Sequence, residues 1–233
     1  LVQKAADPKL DLTNNEIYRA LAQEVPTESL FTANTARTWR DVNPMLPATD
    51  IAFYTTSPAF GSRAAFDAEA LVGGCRKVRE IKLIFEATYR VAKCITMRSS
   101  VVTEIDDTKK RVEAFRASAP GSIALMTYDA YSQNSSWMRI VPVNGFEPTP
   151  SAIYSDDYTM ATPIYIYAKK KFHAAGASAK NQDPALRLWL TEALSDGAIG
   201  PGGYLERLGL IPMPTAKRGS QRAGSTRSRM SAE

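Results

Sequence analysis

A chain of 233 residues, 44% hydrophobic and 23% charged, can build one large α/β domain or two small lobes around a sizeable core. No apolar run approaches the roughly 20 residues that a bilayer-spanning helix needs, so membrane insertion is not expected. The net charge of +5 is concentrated at one end: Lys217, Arg218, Arg222, Arg227 and Arg229 stand against the single acid Glu233, a net of +4, which leaves the body near neutral.

That distribution argues against a nucleic-acid surface, which would place its basic face on the fold itself. The Gly/Ser/Arg-rich segment 215–233 reads as a basic, solvated, disordered tail, with docking on an acidic partner or an anionic lipid surface as the alternative. The opening residues Leu1–Leu12 carry no apolar stretch of the secretory type, and Leu1 is not methionine. A processed chain, or one numbered from inside a longer product, is the expectation.

In chain order, Thr13 with Glu16 three positions on is a capping-box signature, and Ile17, Ala20, Leu21 and Val25 follow at helical spacing up to Pro26. A short helical turn around Trp39, a candidate core anchor, ends at Asn43-Pro44. Residues 50–56 (DIAFYTT) are the first clear strand, closed by Ser57-Pro58. From Ser62 the period turns helical, with Ala65, Phe66, Ala70 and Leu71 in a stripe that Gly73-Gly74 ends. Val78, Ile81, Ile84, Phe85, Thr88 and Val91 form the stripe of a further helix, followed by a short strand over 94–98 (CITMR). A charged helix over 106–117 and strands over 122–131 and 137–143 follow, the last turning at Asn144-Gly145. Residues 162–170 (TPIYIYAKK) are a strongly β run. An amphipathic helix from Pro184 and a glycine loop with a short helix complete the series. Alternation of strands and helices predicts an α/β fold with a largely parallel sheet.

Catalytic and metal chemistry find little support. The single histidine, His173, lies in a lysine-rich stretch remote from both cysteines, so no triad assembles and no zinc set is available. Neither catalytic residues, nor a metal site, nor a cofactor is assigned. The pairs Asp106-Asp107 and Asp156-Asp157 diverge as sequence neighbours, and residues 199–204 (IGPGGY) lack the Lys-Ser/Thr of a phosphate loop. Cys75 and Cys94 are either two buried thiols or one disulfide. The disulfide is favoured, because a helical run between them can leave and return. It would stabilise by roughly 3 kcal/mol and implies an oxidising compartment.

One segment has anion chemistry. Residues 54–63 (YTTSPAFGSR) link a strand to a helix, which brings free backbone N–H groups and the positive end of a helix dipole to one point. Gly61 permits close approach, Ser62 offers a hydroxyl and Arg63 a charge. Phe60 stands where a hydroxyl would serve better.

Several segments together resemble the phosphate-specific substrate-binding proteins of ABC importers, which have the two-lobed type 2 periplasmic-binding-protein fold. The similarity runs through residues 12–26, 38–54, 60–66 (FGSRAAF), the GGC and CITMR segments around Cys75 and Cys94, 141–153, 158–170 and 199–212. It implies an α/β fold with an incomplete first lobe from 1–49 plus 141–214, and a second lobe from 50–140. Crossing strands at 50–54 and 139–143 would join the lobes, and the cysteines would be bonded, as in the periplasm. It assigns phosphate, or a similar oxyanion, to Gly61, Ser62, Arg63 and Arg98, and ABC importer membrane subunits as partners.

Departures from that pattern are specific. The family's serine position is Phe60 and its threonine position Ser62. Arg98 is followed by Ser100-Val101 where Asp-Gly is expected. The family's opening strands and their acidic residue precede anything found here. The alternative is therefore a structural or accessory subunit that keeps the fold without the ligand and docks in a larger periplasmic or membrane-attached assembly.

Overall fold

The computed structural model describes residues 1–26, 31–169 and 183–219. His173, Arg222, Arg227 and Arg229 lie outside the described residues. Two compact units follow each other along the chain, Leu1–Thr162 and Pro163–Glu233.

The first unit opens with β1 (Val2–Lys4) and α1 (Asn14–Leu21), then the antiparallel ribbon β2 (Glu24–Pro26) and β3 (Phe31–Ala33), then α2 (Trp39–Val42). Strand β4 (Phe53–Thr55) leads to α3 (Gly61–Phe66), which continues through a π-helical stretch, Asp67–Val72, into α4 (Gly73–Cys75). Helix α5 (Ala87–Ile95), β5 (Val102–Glu104), α6 (Thr108–Arg116), β6 (Ile123–Ala124), α7 (Tyr128–Gln133), β7 (Met138–Ile140) and α8 (Pro150–Tyr154) complete it. One sheet has the order β5-β4-β6-β1-β7, with β4 parallel to both β5 and β6, and β1 antiparallel to both β6 and β7.

Strand periodicity explains the layering. Adjacent residues of β4 point to opposite faces. Phe53 stacks on Phe66 of α3 at 5.0 Å between ring centroids, and Tyr54 meets Phe115 of α6 at 5.9 Å. Helices therefore cover both faces. The larger core joins Leu10, Leu12, Ile17, Leu21, Trp39 and Phe53 on one side, and the smaller joins Val2, Phe115, Ala124 and Met138 on the other. The capping box of α1 forms as read, with Glu16 N–H donating to Thr13 Oγ1 and Thr13 N–H to Glu16 Oε2. Residues 1–49, set apart from 50–140 in the expected lobes, share this sheet and core with them: β1 lies between β6 and β7, and Trp39 packs in the same cluster as Phe53 and Ile123.

Several local readings need correction. The strand expected over 122–131 is confined to Ile123–Ala124, with helix from Tyr128, and residues 215–219 of the expected disordered tail are helical, with Arg218 buried. Gly73-Gly74 does not end the helix; the helical run continues to Cys75, because Gly74 is where it rests on the α1 backbone. A Cβ at Gly74 would stand 1.9 Å from Asn14 O. The apolar stripe from Val78 to Val91 is not one helix. A 3-10 turn, Glu80–Leu83, gives way to extended backbone at Ile84, and Glu86 starts α5 anew. Residues 94–98 are not a strand: Cys94 and Ile95 end α5, and Met97 makes a lone bridge to Ala22. The described part of the β-rich run, 162–169, forms no strand.

The second unit holds α9 (Pro184–Ala193), capped by Asp183, and α10 (Asp196–Ile199), whose Asp196 pairs with Arg218 at 3.0 Å. Among its described hydrophobic residues only Leu190 and Ala198 are buried, whereas Ile164 to Tyr167, Leu188 and Trp189 are exposed.

One turn carries unusual weight in the first unit. Gly121 has φ +91°, donates its N–H to Asp7 Oδ2 at 2.9 Å, and accepts Trp39 Nε1–H at 2.8 Å. A Cβ there would lie 2.5 Å from the Thr49 side chain and 2.9 Å from Asp50 O. Gly121→Ala is expected to lower the unfolding free energy by about 2–3 kcal/mol in urea titration. A loss below about 0.5 kcal/mol would contradict this account.

Candidate functional site: the loop after the central strand

Parallel strands β4, β5 and β6 deliver their C-terminal ends to one edge of the sheet, and each then enters a helix. Such edges gather helix N-termini and are where open α/β sheets take ligands. Two of the three are self-capped. Asp107 accepts from Lys110 N–H at the start of α6, and Thr127 accepts from Ala130 N–H at the start of α7. The third, α3, has Phe60 at its N-cap, and that side chain has no acceptor to offer.

Around α3 the donors divide into engaged and open. Phe60 N–H returns to Ser57 O at 3.2 Å, and Arg63 and Ala64 N–H both reach Phe60 O. Gly61 and Ser62 N–H have no partner among the described residues, and both residues are exposed, as is Phe60 at 44%. Ser57 is latched by Asp106, which accepts from its N–H at 2.8 Å and its hydroxyl at 3.2 Å. The loop is therefore held from one side and open on the other.

Arg63 is the residue that fixes it. The residue is 4% exposed. Its Nε pairs with Asp67 at 2.8 Å, and its Nη1 donates to Thr56 O at 3.0 Å and to Glu104 of β5 at 2.8 Å. Burial lifts the Asp67 carboxyl above the ordinary aspartate range, against the opposing pull of Arg63. Nη2 makes no hydrogen bond among the described residues.

Arg98 sits differently. Its Nε and Nη2 donate to Ala20 O at 3.0 and 2.7 Å, and its Nη1 to Ala36 O at 2.5 Å and Asn34 O at 3.4 Å. A cation on the last carbonyls of α1 answers the negative end of that helix. Burial depresses the Arg98 pKa, and no carboxylate compensates. Gly61, Ser62 and Arg63 thus stand together, while Arg98 shares no partner with them. Glu104 and Asp106, which sequence reading did not assign, are the acidic residues beside the loop. Only the Arg63–Asp67 spacing of i, i+4 hinted at this network.

Cys75 and Cys94 form a disulfide with Cα atoms 5.6 Å apart. No group of three or more metal-ligating side chains occurs among the described residues, and no helix there is long and apolar enough to cross a membrane.

The sheet mixes parallel and antiparallel strands, carries helices on both faces, and has one uncapped helix start at the C-terminal edge of its parallel strands. Two solved structures share the fold. A possible phosphate-binding protein from Planctomyces limnophilus is 19% identical, with TM-score 0.59, over 95% of this chain and 67% of that one. A putative phosphate ABC transporter substrate-binding protein with bound phosphate, from Clostridium perfringens, is 15% identical, with TM-score 0.52, over 91% and 67%.

No protein-family model matches the chain. Phosphate-binding protein PstS of Staphylococcus saprophyticus is 27% identical over 141 residues, 58% of this chain and 36% of that protein. The chain therefore spans little more than a third of the curated relative it matches. The similarity is thus to phosphate-binding proteins, at low identity and over part of each chain.

The buried pair gives a prediction with a sign. Arg63→Met strands Asp67, whose side chain is 13% exposed, and should cost about 3 kcal/mol near pH 7. Without the cation, the folded-state pKa of Asp67 rises further above its unfolded value. The cost is then full above that folded pKa and shrinks as pH falls toward the unfolded one. Urea titrations near pH 7 and near pH 4 should show a smaller deficit in acid; an equal deficit at both would discard Asp67 as the cause.

Proposed function

We propose that the chain is part of an extracytoplasmic solute-binding protein that holds phosphate, or a similar small oxyanion, on the β4–α3 loop and passes it to the membrane subunits of an ABC importer. The observation that carries this reading is the pair of exposed, unpartnered N–H groups of Gly61 and Ser62, at the one helix start on the sheet edge that has no side-chain cap. Two aligned backbone donors at the positive end of a helical run are an anion seat. The Ser62 hydroxyl and Arg63 Nη2 are the adjoining donors. Arg98, assigned to the ligand by resemblance, acts in this reading through architecture, because its nitrogens are spent on carbonyls.

Residues Leu1–Thr162 are then the lobe that carries the loop. The Cys75–Cys94 disulfide supports an oxidising compartment, the periplasm or its equivalent.

A second reading has its own observation. Phe60 fills the position where a hydroxyl would cap the loop, and Glu104 and Asp106 place negative charge beside it. Both oppose an anion, and both favour an accessory subunit that keeps the fold and docks in a larger assembly.

Calorimetric titration with inorganic phosphate separates the two. The binding reading expects heat at millimolar ligand or below. It also expects Phe60→Ser to tighten binding by about tenfold, the worth of one added hydrogen bond to a charged group. No heat from the folded chain, with Phe60→Ser equally silent, leaves only the accessory reading.

A further inference from the structure

Between Cys75 and Cys94 the chain makes a 3-10 turn and α5, and the disulfide joins the two ends of this excursion. Its inner side is anchored. Ile81 is buried, and Val78 and Ile84 pack on the small core around Tyr18, Ala22 and Val72. Its outer side is apolar. Phe85 is 95% exposed and Leu83 66%, on either side of half-buried Ile84, and Tyr89 and Val91 are exposed nearby on α5.

These side chains are presented by fixed backbone. Ile84 O accepts from Arg90 Nη1 at 3.1 Å, and the Glu86 carboxylate caps α5 through the N–H groups of Thr88 and Tyr89. Around them the segment 76–93 carries six basic residues, Arg76, Lys77, Arg79, Lys82, Arg90 and Lys93, against Glu80 and Glu86, a net of +4. Lys93 is occupied by Glu24 and by the rings of Phe31 and Tyr89, each 5.5 Å away. Arg76, Lys77, Arg79 and Lys82 are exposed and make no ion pair among the described residues.

We propose that this disulfide-closed excursion is a docking surface for an anionic lipid bilayer, with Leu83 and Phe85 entering the boundary between headgroups and acyl chains while Arg76, Lys77, Arg79 and Lys82 engage lipid phosphates. The shape selects the occupant. Protein interfaces seat their apolar anchors in complementary pockets. Two large exposed side chains, Leu83 and Phe85, in a segment that also exposes four cations without ion pairs among the described residues, instead match a surface with acyl carbon at one depth and phosphate just above it. Neither signal suffices alone, so the attachment is weak, reversible and salt-sensitive. The inference is independent of the oxyanion reading.

Co-sedimentation of the full chain with vesicles tests it. Binding is expected to vesicles of phosphatidylglycerol mixed with phosphatidylcholine and not to phosphatidylcholine alone. Leu83→Ser with Phe85→Ser should weaken it by about tenfold or more, and so should Arg79→Glu with Lys82→Glu, since apolar burial and charge each contribute. Substituting Arg222, Arg227 and Arg229 together by serine should leave most of the binding, which separates the excursion from the C-terminal basic residues. Phe85→Trp, in an otherwise native chain, should gain blue-shifted fluorescence on mixed vesicles. The proposal is overturned by unchanged binding of the Leu83/Phe85 variant, by binding that vanishes only with the three arginines, or by no spectral change at position 85. Attachment to an acidic protein surface without vesicle binding overturns it as well.

Discussion

A guanidinium withdrawn from water must be matched by fixed oxygens, and Arg63 meets that demand by joining three segments at once. Thr56 O comes from the end of β4, Asp67 from the π-helical stretch after α3, and Glu104 from the end of β5. The loop between β4 and α3 has little freedom once this is satisfied, because its two ends and the neighbouring strand share one buried cation. A second latch, Ser57 on Asp106, fixes the loop's first residues to the turn after β5. Gly61 and Ser62 are thereby set at the sheet edge with their N–H groups outward. The same residues bring Asp67, Glu104 and Asp106 to the loop, so what holds it in place also puts negative charge beside it.

What the sequence disclosed follows from the range of each interaction. The capping box of α1, the Asn144-Gly145 turn (φ +53° and +82°) and the start of α9 at Asp183-Pro184 depend on residues a few positions apart, and all are legible. Strand β4 is legible because both faces are buried, which leaves an apolar and aromatic run. The segment 78–91 misleads because its spacing suits a helix, while the decisive event is local: Glu86 caps a new helix and turns Phe85 outward. Residues 163–169 mislead for the opposite reason. Tyrosine and isoleucine in alternation favour a pleated surface, but a strand exists only where another backbone receives its hydrogen bonds.

The site divides along the same line. Gly61, Ser62 and Arg63 are contiguous, so reading them as a unit was possible. Arg98 owes its role to carbonyls of Ala20, Asn34 and Ala36, between 62 and 78 residues away in sequence, and no local pattern encodes that. Its consequence is mechanical. By capping α1 from the turn after α5, it joins the helix that carries the capping box to the segment that leads into β5, without the acidic partner that a ligand-binding arginine could exchange for an anion.

The three helix starts at the sheet edge show how little separates a binding loop from a structural one. Asp107 and Thr127 satisfy their helices internally, and nothing is left for a ligand at α6 or α7. At α3 the choice of Phe60 removes the internal acceptor and adds no external donor, so Gly61 and Ser62 keep their valence beside a half-exposed aromatic side chain. A hydroxyl at the same position would do the reverse. It would either cap the helix itself or join the two amides in holding an oxyanion, and in both cases the ring's volume would be gone. Position 60 therefore sets whether the start of α3 is capped from within the chain, and Arg63 sets how firmly that end is held.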